Sequence, residues 1–264
     1  IGDFQKAIYY YEMAARQNHP EALFKLGFFY ILGSHVHQDV KKSIEYFTRA
    51  SDLNEYKSQY NLGVLYSEGK YVPYDIEKAI HYYTLSANQN FAEAQCNLGF
   101  LYERGEGIKK DIKKAIEYYI LSANQNYYLA QYNLGIKYEK GIYVQKDINE
   151  AIKYFSLAAN QNFLGAQIKL ADIYLNDETV KDINKSIKYL ELASKQNDLQ
   201  SQLTLGIIYS DGINIPPDYN KAIHYLINPA NSNMALAQYH LAFVLEKIGD
   251  FQKAIYYYEM AARQ

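Results

Sequence analysis

The sequence predicts an all-α fold of about seven 36-residue repeats, each a pair of helices, with no strands. The first observation is a Leu-Gly-x-x-Tyr motif whose Gly or Ala recurs at steps of 36, 36, 36, 36, 35 and 36 residues: Gly27, Gly63, Gly99, Gly135, Ala171, Gly206 and Ala242. The second is an Asp-x-x-x-(Ala/Ser)-Ile motif in step with it: Asp3, Asp39, Asp75, Asp111, Asp147, Asp182, Asp218 and Asp250. The third is that no segment alternates apolar and polar residues with period two, as half-buried strands do.

The first helix of each repeat is predicted by apolar and small residues at helical spacing, as in residues 94–102. It ends at a glycine in five repeats, because glycine takes the left-handed conformation that closes a helix at little cost: Gly33, Gly69, Gly105, Gly141 and Gly212. The second helix opens at an aspartate N-cap such as Asp111. It ends at a Gln-Asn pair such as residues 125–126, because Asn tolerates the left-handed exit. We expect seven first helices and eight second helices, since the chain begins and ends on a second helix.

Three places depart from the regular pattern. The fifth loop, after Leu170-Ala171, lacks both glycines and is expected to have a different shape. Pro229 falls near the end of a second helix and is expected to kink or shorten it. The last repeat has four fewer loop residues, since Leu245 to Asp250 is 5 residues against 9 from Tyr102 to Asp111. That shorter loop predicts a tighter turn.

Tyrosine is unusually abundant, with 30 Tyr beside 11 Phe and no Trp. So many copies indicate a repeated structural position, in which most tyrosines pack and anchor their hydroxyl groups rather than stack on bases. Small residues such as Gly63 and Gly99 on first helices, and Ala79 and Ala87 on a second helix, let neighbouring helices approach closely. We expect a tyrosine of the adjacent repeat to fill the space that they leave.

The third full repeat carries the consensus of a known family: Ala94, Leu98-Gly99, Tyr102, Gly105, Gly107, Asp111, Lys114-Ala115, Tyr118-Tyr119 and Ser122-Ala123. These residues resemble the Sel-1-like repeat, a relative of the tetratricopeptide repeat with a longer loop between its helices. The resemblance covers the whole chain. It implies an α-solenoid, a superhelix of antiparallel helix pairs, that is continuous over residues 1–264 and has its first helices on the concave side.

Composition excludes several classes of function. A net charge of −2 and a pI near 6.3 argue against a nucleic-acid partner, because such proteins need a cationic surface. Repeats that read RNA bases are disfavoured for the same reason. No apolar run approaches the length of a membrane span, so we expect no membrane insertion. The chain starts at Ile1 without a signal-like segment and reads as soluble, with its compartment unassigned.

Candidate chemistry is sparse, and we predict no enzyme, no cofactor and no metal. His35 and His37 are the one close histidine pair, with Asp39 as the nearest third ligand, but no other repeat has this pair. Cys96 takes a position that Tyr occupies in neighbouring repeats, which favours a half-buried packing residue over a nucleophile. Gly105-x-Gly107 lacks the Lys-Ser/Thr of a phosphate loop. No two carboxylates are expected to share an apolar pocket.

The resemblance implies a concave groove that includes the residue after each Leu-Gly pair and the residue three before the glycine. Nine such residues form the predicted binding face: Phe28, Tyr60, Val64, Phe100, Tyr132, Ile136, Ile207, Tyr239 and Phe243. We therefore predict a non-enzymatic protein–protein interaction scaffold that binds a peptide or protein there, with a preference for apolar or aromatic segments. The alternative, that tight winding fills this face with its own neighbours, stays open.

The two ends of the chain are duplicated, since residues 1–17 are identical to residues 248–264, a period of 247 residues. This suggests a second function, as one unit of a long solenoid array or fibre that continues end to end. The predicted stacking face comprises one set of residues and its copy: Ile8, Tyr11 and Ala15, with Ile255, Tyr258 and Ala262. Because association costs about 4–15 kcal/mol, we expect any fibre to be held along its axis mainly by covalent continuity of the chain.

Overall fold

The computed structural model describes residues 2–212 and 215–264, so that Ile1, Ile213 and Asn214 lie outside the description. The described residues contain 15 α-helices and no strand. Their bounds are α1 Gly2–Arg16, α2 Pro20–Leu32, α3 Val40–Asp52, α4 Tyr56–Glu68, α5 Ile76–Asn88, α6 Ala92–Arg104, α7 Ile112–Asn124, α8 Tyr128–Lys140, α9 Ile148–Asn160, α10 Leu164–Asn176, α11 Ile183–Ser194, α12 Leu199–Asp211, α13 Tyr219–Asn231, α14 Ala235–Lys247 and α15 Phe251–Ala262. Even-numbered helices are the seven first helices and odd-numbered ones the eight second helices, which confirms the predicted α-solenoid class and helix count.

The second helices start where the aspartates predict. Asp75, for example, accepts a hydrogen bond from the backbone N–H of Lys78 at 3.0 Å. The Lys78 ammonium lies 3.0 Å from the same carboxylate. These two interactions, led by the backbone hydrogen bond, lower the pKa of Asp75 below its usual value. The same N-cap bond is present in six other repeats, at Asp39, Asp111, Asp147, Asp182, Asp218 and Asp250.

The helix ends use the left-handed conformation that the sequence predicts. Five glycines close first helices with φ between 63° and 71°: Gly33, Gly69, Gly105, Gly141 and Gly212. Seven asparagines follow second helices with φ between 57° and 64°: Asn18, Asn54, Asn90, Asn126, Asn162, Asn197 and Asn233. Among residues other than glycine, Asn adopts this left-handed conformation at a low energetic cost. The Gln-Asn pairs therefore mark helix ends, as predicted.

The three irregular places differ in whether the structure agrees with the prediction made for them. The fifth loop does change shape, because Asp177 closes α10 in an extended conformation, with φ −86° and ψ 110°. The last turn is the short one predicted, with Gly249 at φ 87° before Asp250. However, Pro229 does not shorten its helix, since α13 has the same 13 residues as most others. Pro229 lies in the last turn of α13 and is buried, so its ring is packed where the helix is about to end.

The glycines of the Leu-Gly motif allow an aromatic ring to lie against the backbone of the first helix. A Cβ added to Gly63 would lie 2.6 Å from Cδ1 of Tyr83, which is 3% exposed. Gly27 faces Phe47 at the same distance. Each ring belongs to the second helix of the same repeat, so the expectation that the adjacent repeat fills this space is wrong. The glycine faces its own partner helix because the two helices of one repeat make the closest pairing.

Other tyrosines form a repeated stack between the two helices of a repeat. Tyr66 and Tyr82 lie with ring centroids 5.9 Å apart and an interplanar angle of 4°. Lys78 lies over the Tyr66 ring, 5.0 Å from its centroid, as a cation–π contact. Equivalent stacks join Tyr30 to Tyr46, Tyr102 to Tyr118, Tyr174 to Tyr189 and Tyr209 to Tyr225. These stacks agree with the interpretation of tyrosine as a packing residue.

A buried glutamine on six of the seven first helices ties its repeat to the one before it. The side-chain amide of Gln95 donates to Oδ1 of Asn90, at 3.0 Å, in the preceding repeat. Its carbonyl oxygen accepts from Nε2 of Gln125, at 2.7 Å, in its own repeat. In the first full repeat both glutamine positions hold leucine, Leu23 and Leu53, so the two partners are replaced together. The Gln-Asn motif therefore makes inter-repeat hydrogen bonds, which the sequence analysis did not predict.

The chain divides into two compact units, residues 1–151 and 152–264, with the boundary inside α9. In the first unit, buried clusters form around Leu26, around Leu62 with Phe47, and around Leu98. In the second unit, one cluster includes Leu205, Leu226 and Leu241, and each of these side chains is at most 1% exposed. Whether one continuous solenoid runs over residues 1–264 stays a prediction.

Candidate functional site

The nine residues predicted to form the binding face lie on α2, α4, α6, α8, α12 and α14, and none of them is fully buried. Phe28 and Phe100 in the first unit are 43% and 44% exposed, and Tyr239 in the second unit is 51% exposed. The other six are half-buried: Tyr60, Val64, Tyr132, Ile136, Ile207 and Phe243. Neighbours within a unit therefore do not completely cover this face.

Three of these residues share one cavity in the first unit, between α4 and α6. It has a volume of about 360 Å³, and Tyr60, Val64 and Phe100 line it. The apolar walls also include Ile76, Tyr83 and Leu101. Polar groups reach it from Ser67, Glu68, Asn97 and Glu106. Phe28, Tyr132 and Ile136 do not line this cavity. A pocket with apolar walls and a few convergent polar groups is the usual form of a ligand site.

The polar groups of the cavity are held by hydrogen bonds. The hydroxyl groups of Tyr83 and Ser67 lie 2.9 Å apart, and the Asn97 side chain hydrogen-bonds to both Tyr60 and Tyr83. Burial raises the pKa of Tyr60 to about 12, so this phenol is neutral at ordinary pH. These bonds fix the orientation of the cavity wall.

Two carboxylates lie at the edge of the cavity. Glu106 accepts a hydrogen bond from the Tyr74 hydroxyl at 3.0 Å and pairs with Arg104 at 3.4 Å. Glu68 is exposed. The Arg104 guanidinium also lies over the Phe100 ring, 5.1 Å from its centroid. The opening therefore combines an aromatic surface with two acidic groups and one basic group.

The second unit has a cavity at the equivalent position, between α10 and α12. It has a volume of about 410 Å³, and its lining includes Ile168, Asp172 and Thr204. Asp172 occupies the position that Val64 occupies in the first unit, so this cavity is more polar at that point. Ile207, Tyr239 and Phe243 do not line it. The cavity of the first unit therefore contains three residues of the predicted binding face, whereas the cavity of the second unit contains none of them.

A buried ion pair was missed by the sequence analysis. Lys137, 8% exposed, forms a salt bridge with Glu103, which also accepts a hydrogen bond from the Tyr119 hydroxyl at 3.0 Å. Three consecutive helices, α6, α7 and α8, supply these side chains. The signal was available, because other repeats have an apolar residue at the Lys137 position: Leu65, Leu101, Ile173, Ile208 and Val244. A lysine among them predicts a buried partner.

The two copies of the predicted stacking face differ in their surroundings. Ile8 and Ala15 are 6% and 2% exposed, because they pack against α2 in the same chain. Tyr11 is half-buried, and its ring contacts Phe29 with centroids 6.1 Å apart. In α15, Ile255 is 60% exposed and Ala262 is exposed. Tyr258 is half-buried, packs with the α14 cluster and donates to Glu246 at 2.9 Å. Ile255 and Ala262 are therefore exposed in α15, whereas their copies Ile8 and Ala15 are buried in α1.

The remaining candidates have structural surroundings. The His35 ring stacks on Phe4, 4.0 Å between centroids, and His37 contacts the Gln38 carbonyl. Among the described residues, no three His, Cys, Asp or Glu side chains are grouped to hold a metal ion. Cys96 is more deeply buried than expected, at 4% exposure, and burial raises its thiol pKa to about 12. No helix in the described part of the chain has the length and apolar character to cross a membrane.

Comparison with known proteins agrees with this architecture. The family model described as the Sel1 repeat matches residues 2–19, 20–55, 57–91, 92–127, 129–163, 165–198, 199–227 and 229–264. It gives eight matches because the leading second helix is matched separately. No curated protein sequence matches the chain.

Solved structures give the same result. The protective antigen c5321 of uropathogenic Escherichia coli, with an SLR fold, is similar at a TM-score of 0.88 and 26% identity. The match covers 97% of this chain but only 56% of that antigen's chain. A Sel1 repeat protein from Oxalobacter formigenes is similar at a TM-score of 0.77 and 27% identity, over 88% of this chain and 95% of that one. With repeats of this family matched along almost its whole length, the chain belongs to the Sel1 repeat family.

Proposed function

We propose that this protein is a non-enzymatic scaffold that binds a peptide or protein segment at the cavity between α4 and α6. Sel1 repeat proteins are generally protein-interaction scaffolds. The observation that carries the proposal for this chain is the cavity itself, where Tyr60, Val64 and Phe100 meet beside hydrogen-bonded polar groups. It supports binding on the concave side, which the family resemblance implies.

The chemistry of the cavity indicates the kind of segment it binds. An aliphatic or aromatic side chain fits against Val64 and Phe100, because burying it removes apolar surface of both partners from water. The exposed carboxylate of Glu68 favours a Lys or Arg next to this anchor, through a charge pair at the rim. Such a rim pair contributes more to specificity and association rate than to affinity.

Selection from a displayed peptide library on the whole chain tests the proposal. We expect the selected peptides to carry an apolar or aromatic anchor, and Phe100→Ala to weaken their binding about tenfold, about 1.4 kcal/mol. Ile136→Asp introduces a charge on α8, the first helix of the following repeat. It is expected to weaken the binding of longer peptide segments that extend past the cavity. Leu121→Ala is the matched control, since Leu121 is 47% exposed on a second helix, against 44% for Phe100.

The proposal fails if no selected ligand is weakened by Phe100→Ala or by Ile136→Asp. It also fails if Leu121→Ala weakens binding as much, because the ligand would then contact the second helices.

A further inference from the structure

The wall of the cavity between α10 and α12 lacks two aromatic rings that the equivalent repeats of the first unit have. Leu190 occupies the position of Tyr83. Asp198 occupies the position of Phe91, whose ring packs on Tyr60 with centroids 5.3 Å apart. Both Leu190 and Asp198 line the cavity, which has a volume of about 410 Å³. A smaller apolar side chain and a carboxylate therefore replace aromatic surface at this site.

The deepest part of the lining is apolar. Ala171 and Leu190 line the cavity and are both buried. Leu175 is half-buried and Ile168 is exposed, so these two residues continue the apolar surface towards the solvent. A long aliphatic chain that enters the cavity is therefore in contact with apolar side chains along its length, which removes apolar surface of both partners from water.

Two carboxylates of the lining are oriented by hydrogen bonds that use only one oxygen of each. Oδ1 of Asp172 accepts from the Asn176 side chain at 2.7 Å. Oδ2 of Asp198 accepts from the backbone N–H of Ser201 at 2.8 Å. The second oxygen of each carboxylate has no partner in the described part of the chain. Lys169 also lines the cavity, so the formal charge of the lining is −1, from two carboxylates and one ammonium.

The hydroxyl group of Ser201 is a further polar group of the lining that lacks a partner. Ser201 is 2% exposed and lines the cavity. The hydroxyl of Thr204, one turn later, donates to the Gln200 carbonyl at 2.9 Å, whereas no described residue hydrogen-bonds to the Ser201 hydroxyl. Three of the equivalent positions in other repeats hold alanine: Ala94, Ala130 and Ala166. Because buried polar groups usually have a partner, this hydroxyl indicates a ligand with a polar group at this depth.

We propose that the α10–α12 cavity binds an arginine side chain of a partner protein segment. The methylene groups lie against Leu175 and Leu190. The guanidinium group donates to the open oxygens of Asp172 and Asp198, because its planar fork of five N–H donors serves acceptors that lie in different directions. The Ser201 hydroxyl accepts a further N–H. This site is independent of the α4–α6 cavity, since the two cavities share no residue.

A small probe separates the side chain from the rest of a partner. We would titrate Nα-acetyl-arginine methylamide into the intact ¹⁵N-labelled chain and follow the backbone amide shifts. The shift changes are expected to concentrate in α10 and in the first half of α12. The citrulline analogue has the same shape without the charge and is expected to bind at least about tenfold more weakly. The lysine analogue is also expected to bind more weakly, because its compact ammonium has three donors rather than five.

Substitutions in the lining test the assigned roles. Asp172→Asn and Asp198→Asn are each expected to weaken binding of the arginine probe about tenfold. Asn also caps helices, so Asp198→Asn keeps the start of α12. Ser201→Ala removes one acceptor and is expected to weaken binding about threefold.

Two matched controls make the same chemical changes outside the cavity. Glu178→Gln removes an exposed carboxylate of the same unit that pairs with Lys181 at 2.9 Å. Ser58→Ala removes the hydroxyl at the equivalent position of α4, which is buried and does not line the α4–α6 cavity. Both controls are expected to bind the arginine probe as the unchanged chain does.

The proposal is overturned if the citrulline or lysine analogue binds as tightly as the arginine probe, or if no amide of α10 or α12 shifts. It is also overturned if Asp172→Asn and Asp198→Asn keep their helical circular dichroism and bind the probe as tightly as Glu178→Gln does.

Discussion

The glycine of the Leu-Gly motif gives the sharpest test of how the two helices of a repeat pack. In Gly63→Ala, the new Cβ would lie 2.6 Å from Cδ1 and Cε1 of Tyr83. Carbon atoms in ordinary contact are about 3.5–4.0 Å apart, so the ring must retreat by about 1 Å. It has little room, because Tyr83 is 3% exposed and its hydroxyl is 2.9 Å from that of Ser67. Overpacking of this kind costs about 1–3 kcal/mol.

Alanine also improves helix propensity over glycine by about 0.5–1 kcal/mol, which offsets part of the cost. We therefore expect Gly63→Ala to lower the free energy of unfolding by about 1–2 kcal/mol. In a Tyr83→Ala background the ring is absent, so the same substitution should stabilise by about 0.5–1 kcal/mol. The coupling between the two positions is then about 2 kcal/mol. Urea unfolding followed by circular dichroism measures all four chains of this cycle.

A neutral or stabilising Gly63→Ala in the otherwise unchanged chain would refute this reasoning, as would equal effects in both backgrounds. Ala171 serves as a matched control, because it occupies the same motif position in a repeat that has Leu190 rather than a ring opposite. Ala171→Gly is expected to destabilise, since it loses propensity and opens a small cavity.

Three further predictions concern the buried polar groups. Gln95→Leu removes the amide that joins two repeats, and it is expected to lower unfolding free energy by about 1–3 kcal/mol in urea because its partners lose their bonds. Lys137→Met leaves the Glu103 carboxylate without its buried cation and is expected to cost about 1–3 kcal/mol, most of which Lys137→Met combined with Glu103→Leu should restore. Burial raises the pKa of Tyr60 in the folded protein to about 12, from 10.0. The neutral phenol therefore contributes its full stabilisation below pH 10, and this stabilisation is lost as the pH rises towards 12. Phenolate absorbance of native and urea-unfolded protein, with the melting temperature, measures this loss.

Each of these has an outcome that contradicts it. An unchanged urea midpoint for Gln95→Leu would mean that the glutamine bonds do not stabilise the joint. If the double substitution at Lys137 and Glu103 is worse than Lys137→Met alone, the unpaired carboxylate is not the source of the cost. A melting temperature that is constant from pH 10 to pH 12 would contradict the alkaline prediction.

The sequence predicted what depends on the local backbone and left open what depends on which surfaces meet. Gly105, Asn126 and Asp111 mark helix boundaries because left-handed residues and N-caps satisfy orphan backbone groups within a few residues. The partner of Gly63 was assigned to the wrong repeat, since the helix faced by a residue depends on packing in space. The short loop before Asp250 was predictable from its length alone.

The predicted binding face also could be only partly predicted from the sequence. The family resemblance implied Tyr60, Val64 and Phe100 as face residues, but only the structure shows that they share a cavity with Asn97 and Glu68. Repeats with the same motif differ here, because a single change such as Asp172 alters the polarity of the pocket. Motif spacing predicts where side chains can point, and the neighbouring repeat decides which of them form a pocket.

The glutamine bridges have a consequence for how the gene can vary in length. Gln131 bonds to Asn126 Oδ1 and the Ala123 carbonyl of the repeat before it, just as Gln95 bonds to Asn90 and Ala87. Removal of residues 92–127 in one recombination event would therefore place Gln131 against the Ala87 carbonyl and Asn90 Oδ1. These are the same chemical groups, in the same order, as its present partners. Gain or loss of a whole 36-residue unit preserves every bridge at such a joint, whereas a partial unit breaks one. Two units lack this interchangeability: Leu23 and Leu53 replace both glutamines in one, and Ser232 replaces the second glutamine in another, where Gln202 accepts from Asn228 instead.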